Sequence, residues 1–129
     1  MPKKIAPPAD RPEEVEVAIT VFGNEVKNEI VRCLAGFPEG AFLGDVVTRT
    51  ALPRSTVAPH LAELEQLGVV GADIPPGQRQ GRSVRYSVTR ARVAELLTTW
   101  VTHTFGPGAV GYFLGGGYLG DHDDAPGAP

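Results

Sequence analysis

Arginines are the residues in this chain whose type and spacing best lend themselves to chemistry. Between Asp45 and Arg92 there are seven of them against four acids, a local charge of +3 in a chain whose formal net charge is −3. A guanidinium fork grips phosphate oxygens or the edge of guanine through paired N–H donors. One group opens the run Arg54-Ser55-Thr56-Val57-Ala58-Pro59-His60-Leu61. Val57, Leu61, Leu64 and Leu67 recur there at helical period, which leaves Arg54, Ser55, Thr56, Ala58 and His60 as a small, polar or cationic face. Small residues allow close approach to a groove, and polar ones meet phosphates and base edges. The second group, Arg79, Arg82 and Arg85, falls in and beside the turn-rich stretch Pro75–Arg82. These eight residues are the candidate contacts to double-stranded DNA. Arg54, Ser55 and Ala58 are the candidates for base edges, and the later arginines for positioning on the backbone. His60 suits either a phosphate or a place between helices.

Other chemistries find little support. The single cysteine, Cys33, lies on an apolar helical face and reads as a small buried hydrophobe; it excludes an internal disulfide and suits a reducing cytoplasm. His60, His103 and His122 do not pair at ligand spacing, so no metal is expected; Asp121-His122-Asp123-Asp124 reads as a solvated acidic end. No nucleophile triad or carboxylate pair stands out, and the glycines of 106–117 lack the strand, helix and lysine of a phosphate loop. An enzyme and a cofactor are therefore not expected. No run approaches the ~18 apolar residues of a membrane span, and no apolar signal segment follows Met1-Pro2-Lys3-Lys4.

The elements that must position the arginines follow from periodicity and turn chemistry. A helix is expected from Pro12, with Val15, Ala18, Ile19 and Phe22 as its stripe and Gly23 ending it. Asn24 can cap a second helix running to about Ala35, with Val26, Ile30, Cys33 and Leu34 inward. A short helix over 43–51, a turn around Ala51-Leu52-Pro53 and a long helix ending at Gly68 make a helix-turn-helix. Pro59 bends the long helix if that helix starts at Arg54 or Ser55, and is harmless if Thr56 is the N-cap. Strands are expected over 69–74 and 83–88, with Val84, Tyr86 and Val88 on the packed face. A final helix spans Arg90–Phe105 with Val93, Leu96, Leu97, Trp100, Val101 and Thr104 in one stripe, longer than a small winged core can cover. The expected class is mainly α (α+β), a winged helix-turn-helix with a two-stranded hairpin wing. Residues 1–11 form a flexible arm, 12–105 the domain, and 106–129 a Gly/Pro-rich acidic tail.

Residues 22 to about 98 resemble the arsenic-repressor-like (ArsR) winged-helix family of bacterial transcription regulators. The resemblance is carried by Ser55-Thr56-Val57, His60-Leu61, Leu64, Leu67-Gly68-Val69-Val70 and the basic hairpin Gly81–Val88 with Thr89. It implies a cytoplasmic homodimer that binds DNA as a regulator, most simply a repressor. It further implies a dimer interface on the first and last helices, here Val15, Ile19, Phe22, Leu97, Trp100, Val101 and Thr104. The family's paired metal-binding cysteines are missing, and Ala51 stands where the family usually has glycine. Two alternatives share these features: a winged-helix module for protein partners, and an architectural or excision factor of a mobile element.

Overall fold

The computed structural model describes residues 11–115, so most of the expected arm and the acidic end of the tail lie outside the described residues. Six helices and three strands follow in the order α1 (Glu13–Phe22), α2 (Glu25–Ala35), β1 (Ala41–Phe42), α3 (Leu43–Thr50), α4 (Arg54–Gln66), β2 (Val70–Ala72), β3 (Arg85–Val88), α5 (Arg90–Phe105) and α6 (Ala109–Leu114). They divide into two compact units, one holding Ile19–Ala94 and the other the residues before Ile19 and from Glu95 onward.

The first unit is a winged helix-turn-helix. Asn24 caps α2 as its side chain accepts the Lys27 N–H at 2.8 Å. The Asp45 carboxylate accepts the Phe42 N–H at 2.9 Å, tying the start of α3 to the strand before it. Ile30 and Leu34 of α2, Val46 of α3, and Val57, Leu61 and Leu64 of α4 are buried together with Val69 and Val70. Full burial of each such side chain is worth about 1.5–3 kcal/mol, enough to set the packing of the three helices. Leu43, Val47 and Leu52, at the edge of this core, are half-buried.

The chain reverses at both ends of α4 through left-handed residues. Gly68, at φ +82, follows the helix and directs Val69 N–H to the Leu64 carbonyl at 3.0 Å. Ala51 between α3 and α4 has φ +60, the single positive-φ residue other than glycine among those described. A Cβ in that conformation costs about 1 kcal/mol. Ala51→Gly should therefore stabilise the chain by about 0.5–1 kcal/mol, read as a higher urea midpoint with unchanged slope.

The sheet has three strands, not the two expected, in the order β1-β3-β2 and antiparallel throughout. Ala41 and Ala72 both lie opposite Tyr86, on either side of it. Two-residue β1 is too short to show alternation, which is why periodicity missed it. The wing strands are shorter than expected, and 73–84 loops out through turns closed by Gln78 N–H to Pro75 O and Arg82 N–H to Arg79 O.

In the second unit, Val15 and Ala18 of α1 and Leu96 and Val101 of α5 are buried. The part of α1 that belongs to the first unit buries Val21 and leaves Ile19, expected in the stripe, 40% exposed. Residues 109–114, expected to be irregular, form helix α6 despite Gly111. Its rings explain this: Phe105 meets Trp100 at 5.9 Å and Phe113 at 5.2 Å, and Phe113 meets Tyr112 at 5.2 Å. Aromatic pairs of this kind add about 0.5–1.5 kcal/mol each beyond area.

Candidate DNA-binding surface

Helix α4 starts at Arg54 with Pro53 as N-cap, so Thr56 is not the cap and Pro59 sits inside the helix. Pro59 has no N–H for the Ser55 carbonyl, which lies on the exposed side where solvent can satisfy it. Arg54 and Ser55 are exposed, Thr56 and Ala58 half-buried. This is the polar face that the spacing predicts, with Val57, Leu61 and Leu64 buried behind it.

Arg54 and Arg82 converge. A cavity of about 290 Å3 is lined by Phe42, Leu43 and Gly44 at the start of α3, by Arg54, and by Arg82, Ser83, Val84 and Tyr86 of the wing. The absence of a side chain at Gly44 keeps this wall low; a Cβ there would stand 3.9 Å from Arg54 Nη2. Arg85 is exposed and lies with its guanidinium carbon 4.6 Å from the centre of the Phe42 ring, which steadies the fork. Two arginines from different elements at one opening form a cleft that can receive an anion.

Two of the expected contacts are placed differently. Arg79 is held within the chain: its fork pairs with both Glu65 oxygens, its Nε–H donates to the Ile74 carbonyl at 2.7 Å, and its guanidinium lies 5.9 Å from the Tyr86 ring centre. It braces the wing against the end of α4 instead of reaching outward, because the wing turn brings it beside Glu65. Arg79→Ala should loosen the wing, seen as faster amide exchange over 75–84, while changing global stability by less than about 1 kcal/mol.

His60 is turned to α2. Its Nδ1 lies 3.0 Å from Lys27 Nζ, whose ammonium also meets Glu63 Oε1 at 2.7 Å. An ammonium only donates, so Nδ1 accepts and the ring hydrogen sits on Nε2. Lys27 is only 3% exposed, the one buried charged residue among those described. The hydrogen bond from Lys27, reinforced by its charge, holds the Glu63 carboxyl below the usual carboxylate range. This clasp locks α4 to α2, and the sequence reading missed it. The available signal was a lysine at an inward position of α2 with a His/Glu pair three residues apart on α4.

The expected interface residues also separate. Val15 and Val101 are 1% and 4% exposed, already buried in a single chain, so neither can meet a second one. Phe22, Leu97 and Trp100 are half-buried, and Ile19 and Thr104 exposed.

Residues 29–73 match the model of the IclR helix-turn-helix domain. That span runs from within α2 through β2 and includes the whole of α4. No curated protein sequence matches the chain. Among solved structures, the predicted DNA-binding transcriptional regulator from E. coli aligns with a TM-score of 0.52 at 22% identity, over 67% of this chain and 85% of its own. NolR from Sinorhizobium fredii aligns with a TM-score of 0.53 at 17% identity, over 81% of this chain and 97% of its own. At these identities the likeness concerns the fold. No helix among the described residues is long and apolar enough to cross a membrane.

Proposed function

We propose that this protein is a homodimeric, sequence-specific regulator of transcription, most simply a cytoplasmic repressor of the ArsR-like type, reading duplex DNA with α4 and the wing. The observation that carries the reading is the exposed Arg54 at the start of α4 lining the same cleft as Arg82. In this reading Arg54, Ser55, Thr56 and Ala58 face the major groove, and Arg82 and Arg85 hold the backbone. Residues 12–105 act as the functional domain, with 1–11 and 106–129 as appendages. Ile19, Phe22, Leu97, Trp100 and Thr104 contribute to the contact between copies, and two-fold pairing spaces the half-sites about one helical turn apart.

Selection of bound duplexes from a random pool at two salt concentrations tests the reading, with sedimentation of the free protein alongside. A palindromic consensus, binding that weakens steeply with salt and a dimer are expected. A monomer that retains no duplex at low salt would overturn it.

A further inference from the structure

Residues of α2 and α3, with Gly36 just past α2, line a second, partly open cavity of about 300 Å3: Glu29, Arg32, Cys33, Gly36, Arg49 and Thr50. It shares no residue with the cleft between Arg54 and Arg82. The Arg49 guanidinium carbon is 4.8 Å from the centre of the Phe37 ring, and among the described residues Arg49 forms no ion pair. Its flat face is thus steadied while its fork is left for a planar anion. Arg32 stands on the same wall and meets Glu29 at 3.7 Å, with side chains 82% and 51% exposed. An exposed pair of that kind contributes little and yields readily to a better partner. Cys33 is buried, and that burial pushes its thiol up, so it offers a neutral, apolar surface. Glu29 and Asp45 oppose an anion here, and Arg32 and Arg49 oppose them in turn.

We infer that this cavity binds a small organic carboxylate, its carboxylate on the Arg49 fork with Arg32 at the rim and its apolar body against Cys33. The volume, at the small end for ligand sites, suits a single ring and not a nucleotide. The occupant acts on the helix-turn-helix. Arg49 and Thr50 directly precede the Ala51 turn, and the Thr50 hydroxyl donates to Val46 O at 2.7 Å while accepting the Leu52 N–H at 3.3 Å. A ligand joining α2 to this last turn of α3 favours one setting of the turn that delivers α4, and so changes affinity for DNA. The regulatory half of the inference rests on the DNA-binding reading; the binding half does not.

The test uses the full chain without DNA, titrated with benzoate and, separately, with its neutral counterpart benzamide, followed by amide chemical shifts. Saturable benzoate shifts at Cys33, Gly36, Arg49 and Thr50 are expected, with a Kd of about 1 mM or tighter and benzamide at least ~10-fold weaker. Arg49→Gln should weaken benzoate by the same factor with an unchanged far-UV spectrum, and Arg49→Lys should fall between. No saturable shift, equal response to benzamide, or shifts centred elsewhere would sink the site. A second arm measures duplex affinity with and without saturating benzoate. Benzoate that binds but leaves duplex affinity unaltered overturns the regulatory half alone. A chain that binds benzoate but no duplex defeats the DNA-binding reading and leaves the site standing.

Discussion

Arg54→Ala should weaken binding to the selected duplex by about 2 kcal/mol, roughly 30-fold, and most of that loss should disappear on random sequence. Arg82→Ala should instead weaken every duplex alike and flatten the slope of log affinity against log salt by about 1. The contrast follows from position. Arg54 opens the helix whose polar face would lie in the groove, and Arg82 stands on the wing turn beside it. Yet both guanidinium groups line one cleft, so their effects should not add. The double variant should depart from the sum of the two single losses, because neighbouring groups at one opening on the duplex are coupled. Anisotropy titrations on cognate and scrambled duplexes at several salt concentrations read all three quantities. Equal losses on both duplexes for both variants would refute the division of roles.

The second large effect concerns the clasp between α2 and α4. Glu63→Ala should destabilise the chain by about 2–3 kcal/mol, because it leaves the Lys27 ammonium in the interior with only His60 beside it. The figure lies below that for a fully enclosed pair since the Glu63 side chain is 46% exposed. Lys27→Met should cost only about 1 kcal/mol or less, since it removes the charge and keeps the stem that fills the space. Urea unfolding of the two variants gives the comparison; a Lys27→Met loss larger than that of Glu63→Ala would show that the ion pair is not what the interior depends on. The pH dependence has a definite sign. The Glu63 carboxyl is held below its ordinary range when folded, chiefly by the Lys27 hydrogen bond. Its contribution is therefore complete above the ordinary carboxylate pKa and is lost as pH falls through the lower folded value. The stability gap between wild type and Glu63→Ala should narrow across that acidic interval.

Much of the architecture was legible in the order of residues. The α4 stripe, Asn24 as a cap, Gly68 as a left-handed stop and the span Arg90–Phe105 all depend on spacing or on conformations open to one residue type. The misses share a different cause. Strand β1 is two residues long and exists because β3 offers it an edge. Helix α6 contains a glycine, and its rings pack with Phe105. Pro59, for which the spacing left two places open, is not a miss: it takes the first, inside α4, where Val57, Leu61 and Leu64 bury enough apolar surface to carry the helix past one lost hydrogen bond.

The candidate surface divides the same way. That a small, cationic face would precede an arginine-bearing hairpin was written in the chain itself, because helical and strand periods assign each side chain to a face before any packing occurs. Which cations stay free for a partner was decided only in three dimensions. Arg79, 14 positions from Glu65, and Lys27, 33 from His60, are drawn inward by groups that the fold alone brings within reach. Arg54 and Arg82, also remote in sequence, are left at one opening. A long charged side chain takes whichever partner lies within a few ångströms, and that distance is a property of the tertiary structure and not of the spacing along the chain.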